Sequence, residues 1–281
     1  IPATLPPQRL IHTEWFHCDS LAVYYGTEVF SERHWEIMGN YIRQAAYYSV
    51  NMLLTPLFTP PLDTAVGSER PTVQLVDIYY SKNGYSFDFS KLDRYIKLAL
   101  DCGIKYFEFP HLFTQWGSEH APKIIVTENG KSYRRFGWET NADSAEYAEF
   151  LQSFLPAVKS FMKEKQLLDN CLFHISDEPD EKHIESYRKA VQTVLPLLKG
   201  CKTFDALSEY SFYDEGLVQI PVPDNEHAEE FYRNGVSERW VYYCCGQLNR
   251  VCNRMIAMPS YRNRALALQL FRYQISGFLH W

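Results

Sequence analysis

Eight short apolar runs, separated by segments with helical periodicity, predict an α/β fold of the (β/α)8 barrel class, the TIM barrel. Two further observations agree with this prediction. The chain has 281 residues, of which 46% are apolar and 22% charged, and this suits one large α/β domain. The run at 171–176 ends at two adjacent acids and at Pro179, which cannot continue a β-ladder. In a barrel of this class, such strand ends carry the functional side chains.

The strands are predicted from apolar content and from the turn residues that bound each run. They occupy residues 9–16, 50–54, 104–109, 171–176, 202–208, 216–221, 239–245 and 274–281. The fifth and sixth have the weakest patterns. A β-hairpin at 71–88, turned by Asn83 and Gly84, is predicted as an insertion after the second strand. The segment 112–140 is predicted to be a long ordered loop, because it is too polar for the core and contains several aromatic residues.

The helices are predicted where apolar residues recur at spacings of three and four. They occupy residues 31–48, 90–102, 143–164, 180–198 and 225–233, and a last one begins after Ser260. Ser31, Ser90 and Ser260 stand at the positions expected of capping residues. Each strand except the eighth is therefore followed by a helix or a helix-bearing segment, so we expect a barrel that lacks its closing helix.

The two ends of the chain suggest a domain of a longer protein. Residues 1–8 are rich in proline and predict a stiff linker from a preceding domain, so the barrel is assigned to residues 9–281. No internal repeat or low-complexity tract interrupts that range.

Composition excludes several classes of partner. The 34 acids and 28 bases give a net charge of -6, which argues against nucleic acid. No apolar run reaches the ~18 residues that would cross a membrane. The seven cysteines are an odd number without a Cys-x-x-Cys pair, and no Asn-x-Ser/Thr site is present, so we expect a reducing, cytoplasmic location. The 20 tyrosines, 18 phenylalanines and 6 tryptophans suit either sugar stacking or a large core.

Asp177 and Glu178 are the strongest candidates for chemistry. A structural alternative is that Asp177 caps the following helix while Glu178 complements its dipole. As catalysts, two neighbouring acids are expected on the same side of a substrate, whereas ordinary glycosidases place their acids on opposite sides of the scissile bond. Neighbouring acids suit substrate-assisted cleavage, in which the sugar's own 2-acetamido oxygen attacks the anomeric carbon. One acid then protonates the leaving oxygen and the other holds the acetamido N–H.

Motifs of other enzyme classes are absent from the sequence, which has no glycine-rich dinucleotide loop, phosphate loop, Gly-x-Ser-x-Gly or His-Glu-x-x-His. His17, Asp19, Glu108 and His111 could converge on a metal ion, but no ligand spacing fixes a geometry. We therefore expect no metal and no organic cofactor.

The sequence resembles the catalytic domain of glycoside hydrolase family 123 and its uncharacterised relatives. The resemblance rests on residues 174–179, on Trp15, on 50–54 and on the terminal 277–281. It implies a barrel preceded by a β-sandwich domain, and a β-N-acetylgalactosaminidase activity of the substrate-assisted type. It also implies that Glu178 is the general acid/base and that Asp177 orients the acetamido group. Residues 17–19 and 57–64 depart from the founding enzymes, so the sugar and its linkage stay open.

Further substrate contacts are expected from five residues, four of which have a specific structural alternative. Asn51 and His111 are assigned to sugar hydroxyls, Tyr213 to the acetamido oxygen, and Trp138 and Trp281 to stacking walls. The alternatives are core packing for the tryptophans, loop capping for Asn51 and loop packing for Tyr213.

Two other functions compete with this interpretation. The first is a glycosidase acting on a sugar without an acetamido group, with Glu108 or Asp19 as a third carboxylate. The second is a sugar-binding barrel without catalytic activity. The expected partner is a carbohydrate in every case.

Overall fold

The computed structural model describes residues 6–62, 64–248 and 250–281, so residues 1–5 of the predicted linker lie outside the described part. The strands of that part are β1 (Ile11–Glu14), β2 (Met52–Leu54), β3 (Asp77–Ser81), β4 (Gly84–Asp88), β5 (Tyr106–Phe109), β6 (Ile124–Glu128), β7 (Lys131–Phe136), β8 (Cys171–Phe173), β9 (Lys202–Ala206), β10 (Ile220–Val222), β11 (Trp240–Tyr243) and β12 (Gly277–His280). Its helices are α1 (Cys18–Tyr25), α2 (Glu32–Tyr47), α3 (Ser90–Cys102), α4 (Ala145–Glu164), α5 (Ile184–Val194), α6 (Ser211–Asp214), α7 (Ala228–Arg233) and α8 (Tyr261–Arg272).

Eight parallel strands form a nearly closed barrel, which confirms the predicted (β/α)8 fold. Their order is β10-β9-β8-β5-β2-β1-β12-β11. A parallel bridge between Asp224 and Tyr242 links the two ends of this order. Each of the eight predicted apolar runs contains or overlaps one barrel strand. Parallel strands buried on both faces need continuous apolar sequence, and this is the reason that simple runs located them.

The barrel interior is filled by side chains. Met52, Leu172, Phe204 and Leu279 form part of an inner cluster around the fully buried Trp240. Gly277 of β12 pairs in register with Trp240 of β11. A Cβ atom at Gly277 would lie 2.0 Å from the indole ring, so only glycine leaves room for the tryptophan.

A second sheet of four strands, in the order β4-β3-β6-β7, lies outside the barrel. The hairpin of β3 and β4 confirms the prediction at 71–88. The prediction that 112–140 is a loop is wrong, because β6 and β7 form a second hairpin and β6 pairs in parallel with β3. Residues 131–134 of β7 are exposed, so their sequence has no apolar run that could have indicated a strand.

The helices follow the predicted pattern, with local differences at the start of α1 and of α3. Helix α1 replaces the polar exit expected after the first strand. Ser31 caps α2 as predicted, since its side chain accepts from the amide of His34. Ser90 is not the cap of α3 but its first residue, and Asp88 accepts from the amide of Ser90 at 2.8 Å. No described helix is long and apolar enough to cross a membrane.

Candidate active site

A cavity of about 260 Å³ lies at the carboxyl ends of the barrel strands. Asp177 and Glu178 line it together with Trp15, Gln115, Trp116, Ala206, Tyr242, Cys244, Cys245, Leu279 and Trp281. A larger cavity of about 340 Å³ lies between residues 118–143 and α5, but neither acid lines it. The cavity with the acid pair is therefore the candidate active site, at the end of the barrel where enzymes of this fold carry their chemistry.

The backbone of the acid pair is held from both sides. On one side, the amide of Trp116 donates to the carbonyl of Asp177 at 2.8 Å. On the other, the amide of Glu178 donates to the carbonyl of Ala206 at 2.9 Å. Glu178 has a φ of +42°, in the left-handed region that non-glycine residues seldom adopt. Such a conformation persists when its surroundings hold it, and it is common at functional sites.

Tyr242 anchors the side chain of Glu178. Its hydroxyl donates to Oε1 of Glu178 at 2.5 Å. Burial and the neighbouring Glu178 carboxylate raise the pKa of the Tyr242 phenol far above its usual range. The phenol therefore keeps its proton and acts as a hydrogen-bond donor to the acid at any working pH.

Helix capping does not account for the acid pair. The residue at the start of the turn Glu181–His183, which leads into α5, is Asp180. The amide of Asp180 donates to Nδ1 of His183 at 3.3 Å, and the amide of His183 donates back to the carbonyl of Asp180 at 2.8 Å. Asp177 and Glu178 lie before this turn and line the cavity. Capping of the following helix, the structural alternative for these acids, therefore does not describe them.

A buried charged network lies beneath the cavity. Nε2 of His174 lies 2.6 Å from Oε1 of Glu108, and Nδ1 of His174 lies 2.9 Å from Oδ1 of Asp205. Burial lowers the pKa of His174, but its hydrogen bonds to Asp205 and Glu108 outweigh burial and raise the pKa to about 9. His174 is thus an imidazolium between two carboxylates at neutral pH. Glu108 also accepts from Nε1 of Trp15 at 2.7 Å, which fixes one wall of the cavity.

The same region includes a group of possible metal ligands that fits a metal ion poorly. Ligand atoms of His111, His174 and Asp205 lie within 4.8 Å of one another. The rings of His111 and His174, however, stack with centroids 4.0 Å apart and planes at 20°. Lone pairs in nearly parallel ring planes do not converge on one ion, and Nδ1 of His174 already bonds to Asp205. Asp19, another candidate from the sequence, pairs with Arg70 at 2.9 Å.

Three of the predicted site residues meet at the cavity, namely Asp177, Glu178 and Trp281. Asn51 does not, because it precedes β2 and so lies at the amino end of the barrel. Its amide nitrogen donates to the carbonyl of Leu10 at 3.0 Å, and its oxygen accepts from the amide of His12 at 2.8 Å. These bonds make Asn51 a connector between β1 and β2.

The remaining predicted contacts are also not among the residues that line the cavity. His111 is fully buried, its ring centroid is 5.5 Å from that of Trp15, and burial lowers its pKa well below the usual value. Nε1 of Trp138 donates to the carbonyl of Ser68 at 2.9 Å. Tyr213 belongs to α6 and packs against Tyr210, with ring centroids 5.9 Å apart. The structure therefore does not bring His111, Trp138 or Tyr213 into contact with the space between the acids and Trp281.

Several lining residues were not among the predicted contacts. Trp15 and Tyr242 lie in or directly after barrel strands, so their position at strand ends was a usable signal. Gln115 and Trp116 lie in the long segment after β5, and nothing local in the sequence indicates that this segment returns to the acid pair. Cys244 and Cys245 also line the cavity, where Cys245 is exposed and Cys244 partly exposed.

The fold resembles that of solved glycosidases. A family 123 glycoside hydrolase from Clostridium perfringens, described in a study of glycolipid glycan hydrolysis, aligns with a TM-score of 0.70 and 15% identity over 97% of this chain. The alignment covers 49% of that protein, so this chain spans about half its length.

Two further solved structures align with lower scores. A candidate alpha-L-fucosidase from Bacteroides thetaiotaomicron has a TM-score of 0.49 and 10% identity, over 100% of this chain and 91% of its own. A psychrophilic family 10 endo-beta-1,4-xylanase has a TM-score of 0.45 and 11% identity, over 97% of this chain and 86% of its own.

The sequence itself has one informative match. No curated protein matches it significantly. The family model described as "Glycoside hydrolase 123, catalytic domain" matches residues 15–281, a range that contains the whole cavity lining described above. The chain therefore belongs to the glycoside hydrolase 123 catalytic-domain family.

Proposed function

We propose that this chain is a retaining glycosidase that removes terminal β-linked N-acetylgalactosamine by substrate-assisted cleavage. In this proposal Glu178 protonates the leaving oxygen while the 2-acetamido oxygen of the sugar attacks its own anomeric carbon. Asp177 holds the acetamido N–H and opposes the positive charge of the cyclic intermediate. Glu178 then activates the water that opens the ring. The configuration is retained, because two displacements occur at the same carbon.

One observation carries the proposal. Asp177 and Glu178 are the only carboxylates among the described residues that line the cavity. A double displacement needs a nucleophile in addition to the acid, and in ordinary retaining glycosidases a second carboxylate ~5 Å across the scissile bond supplies it. Two acids joined by one peptide bond, both in one wall, suit a reaction in which the substrate supplies the nucleophile.

The competing third-carboxylate mechanism is less favoured by the structure. Glu108 is fully buried beneath the cavity, where Trp15 and His174 already bond to it. Asp19 is buried as well and forms an ion pair with Arg70. A nucleophile must reach the anomeric carbon, and neither carboxylate lines the cavity where that carbon would lie.

The size and walls of the cavity support a terminal sugar. Its volume of about 260 Å³ is small beside the ~300–1,000 Å³ of typical ligand pockets, which suits one sugar unit better than a long chain. Trp15, Trp116 and Trp281 provide aromatic surfaces of the kind on which sugar rings stack. The glycolipid glycan hydrolysis studied in the Clostridium perfringens protein supports a carbohydrate substrate.

Hydrolysis of two matched aryl β-glycosides, an N-acetylgalactosaminide and a galactoside, tests the proposal, with Glu178→Gln as the control variant. Cleavage of the acetamido sugar alone, reduced in the variant, is the expected result. Cleavage of both substrates would favour a third carboxylate. Binding of the acetamido sugar without product release would favour a carbohydrate-binding barrel. A preceding β-sandwich domain and a cytoplasmic location stay predictions from the sequence.

A further inference from the structure

Two buried glutamines differ in how their side chains are paired. Gln74 is 7% exposed, and both ends of its amide are bonded to backbone groups of Val76 and Ile125. Gln115 is 5% exposed, and its Nε2 donates to the carbonyl of Thr64 at 3.0 Å. Oε1 of Gln115 has no hydrogen-bond partner among the described residues, although buried polar atoms are almost always paired. Gln115 lines the candidate active site, which Gln74 does not.

The orientation of the Gln115 amide is fixed by its chemistry. If oxygen and nitrogen exchanged places, the oxygen would face the carbonyl oxygen of Thr64, and two acceptors would meet without a proton between them. Nε2 must therefore face Thr64, and Oε1 must face the other way. The side chain thus carries a buried acceptor that no described residue satisfies, on a residue that lines the cavity.

The backbone around Gln115 is tied to the acid pair on both sides. The carbonyl of Thr114 accepts from the hydroxyl of Ser176 at 2.8 Å. The amide of Trp116 donates to the carbonyl of Asp177 at 2.8 Å. Gln115 therefore keeps a fixed position relative to Asp177 and Glu178, which is the requirement for a group that helps to place a substrate.

We propose that Gln115 is a specificity-determining residue whose Oε1 accepts a hydrogen bond from a hydroxyl group of the terminal sugar. The inference rests on the proposed glycosidase function and deepens it, because it adds a contact to a sugar hydroxyl that neither acid makes in the proposed reaction. A sugar hydroxyl at C3, C4 or C6 can donate a proton to this oxygen. A substituent that only accepts hydrogen bonds leaves the oxygen unpaired.

Discrimination follows from the cost of an unpaired buried acceptor. A substrate that lacks the donor leaves Oε1 both buried and unbonded, which corresponds to a loss of about 5- to 150-fold in kcat/KM. Fluorine has nearly the size of a hydroxyl group but cannot donate. Deoxyfluoro sugars therefore separate the loss of the donor from a change of shape.

The test uses aryl β-N-acetylgalactosaminides with fluorine in place of the hydroxyl at C3, C4 or C6, and the variant Gln115→Met. For each fluorinated sugar, the loss in kcat/KM relative to the parent sugar is measured in the wild type and in Gln115→Met. At one position the wild-type loss is expected to exceed the loss in the variant by about 5- to 150-fold. Gln115→Met should lose activity on the parent sugar and show little or no added loss at that position. Gln115→Glu, which keeps an acceptor oxygen, should restore the discrimination.

The control Gln74→Met removes a buried glutamine of the same size away from the cavity. It is expected to lower the melting temperature and to leave the pattern over the three fluorinated sugars unchanged. If all three positions keep their full wild-type losses in Gln115→Met, the inference is overturned.

If the wild type does not turn over the parent sugar, the proposed function fails, and this result alone says nothing about Gln115. Saturation-transfer NMR of the same free sugars then tests Gln115 without catalysis. A wild-type preference for the parent sugar that Gln115→Met lacks supports the inference. Binding of none of these sugars, or binding equal in both proteins, overturns it.

Discussion

The hydroxyl of Tyr242 donates to Oε1 of Glu178 across 2.5 Å, although the two residues are 64 positions apart in the chain. Tyr242 belongs to β11, whose neighbours are β12 and the end of β10. The carboxyl group of Glu178, the proposed acid, follows β8 in the chain. It is therefore held by β11, a strand across the barrel opening from β8. The barrel must close correctly before this bond can form.

Replacing Tyr242 with phenylalanine should lower kcat/KM on an aryl N-acetylgalactosaminide by about 10- to 100-fold, since the proposed acid Glu178 loses the hydrogen bond that positions its carboxyl group. Initial rates at one pH provide the measurement. Tyr243→Phe is the matched control, because successive strand residues face opposite ways and the ring of Tyr243 packs against Phe278, 5.1 Å away. Equal losses in the two variants would contradict a specific role for Tyr242.

The two acids should respond differently to the leaving group. Glu178→Gln is expected to lose about 10²- to 10⁴-fold with a poor leaving group and less with an activated one, because an activated leaving group needs little protonation. Asp177→Asn should damage both substrates, since it removes the charge that opposes the cyclic intermediate. The measurement is kcat/KM for a series of aryl leaving groups. Losses below about tenfold in both variants would exclude these roles.

The charged network beneath the cavity predicts a pH-dependent stability. The pKa of His174 rises from 6.5 to about 9 on folding. A raised pKa stabilises the fold fully below pH 6.5, and this stabilisation disappears as the pH rises through 9. The free energy of unfolding, measured by urea titration, should fall by ~3 kcal/mol over this range through His174 alone.

His34→Gln is the control for that experiment. His34 is buried like His174, but its ring bonds to backbone groups of Phe30 and Cys18 instead of to carboxylates. His34→Gln should keep the fall in stability between pH 6.5 and 9, whereas His174→Gln should lose it. A fall of the same size in both variants would show that another group is responsible.

Close packing inside the barrel predicts that Gly277→Ala is strongly destabilising. The added Cβ atom would meet the ring of Trp240 at 2.0 Å, and overpacking of this kind costs about 1–3 kcal/mol or more. Gly246→Ala is the control, because nothing lies within 4 Å of its Cβ position. Thermal unfolding should show a lower melting temperature for Gly277→Ala alone. Wild-type stability of that variant would mean that the Trp240 ring can move aside.

Much of the barrel could be predicted because strands such as β2, β8, β10 and β11 are buried along their whole length and apolar. The hairpin of β6 and β7 could not, although Asn129 and Gly130 form a turn, because β7 is polar and mostly exposed. The hairpin joins the rest of its sheet through β6, whose partner β3 lies more than 40 residues earlier in the chain. A strand that depends on a distant neighbour leaves little trace in its own sequence.

Cavity-lining residues were predictable where they come soon after a barrel strand, as Trp281 does after β12 and Asp177 and Glu178 do a few residues after β8. Asn51 precedes its strand, and the direction of that strand places it at the opposite end of the barrel. Gln115 and Trp116 reach the cavity only because the segment after β5 continues to bond to residues 174–177 beyond the sheet. That return is a property of the tertiary structure, which local patterns do not encode.

The backbone bonds on either side of the acid pair have a consequence for motion. The amides of Trp116 and Glu178 belong to connecting segments, but both are bonded to carbonyl groups of neighbouring segments. Amides of this kind exchange slowly with solvent deuterium, as those of a sheet do, and unlike those of a mobile loop. The entropic cost of ordering the acids is thus met once, during folding, so under the proposed function a sugar that enters the cavity meets a surface that is already arranged.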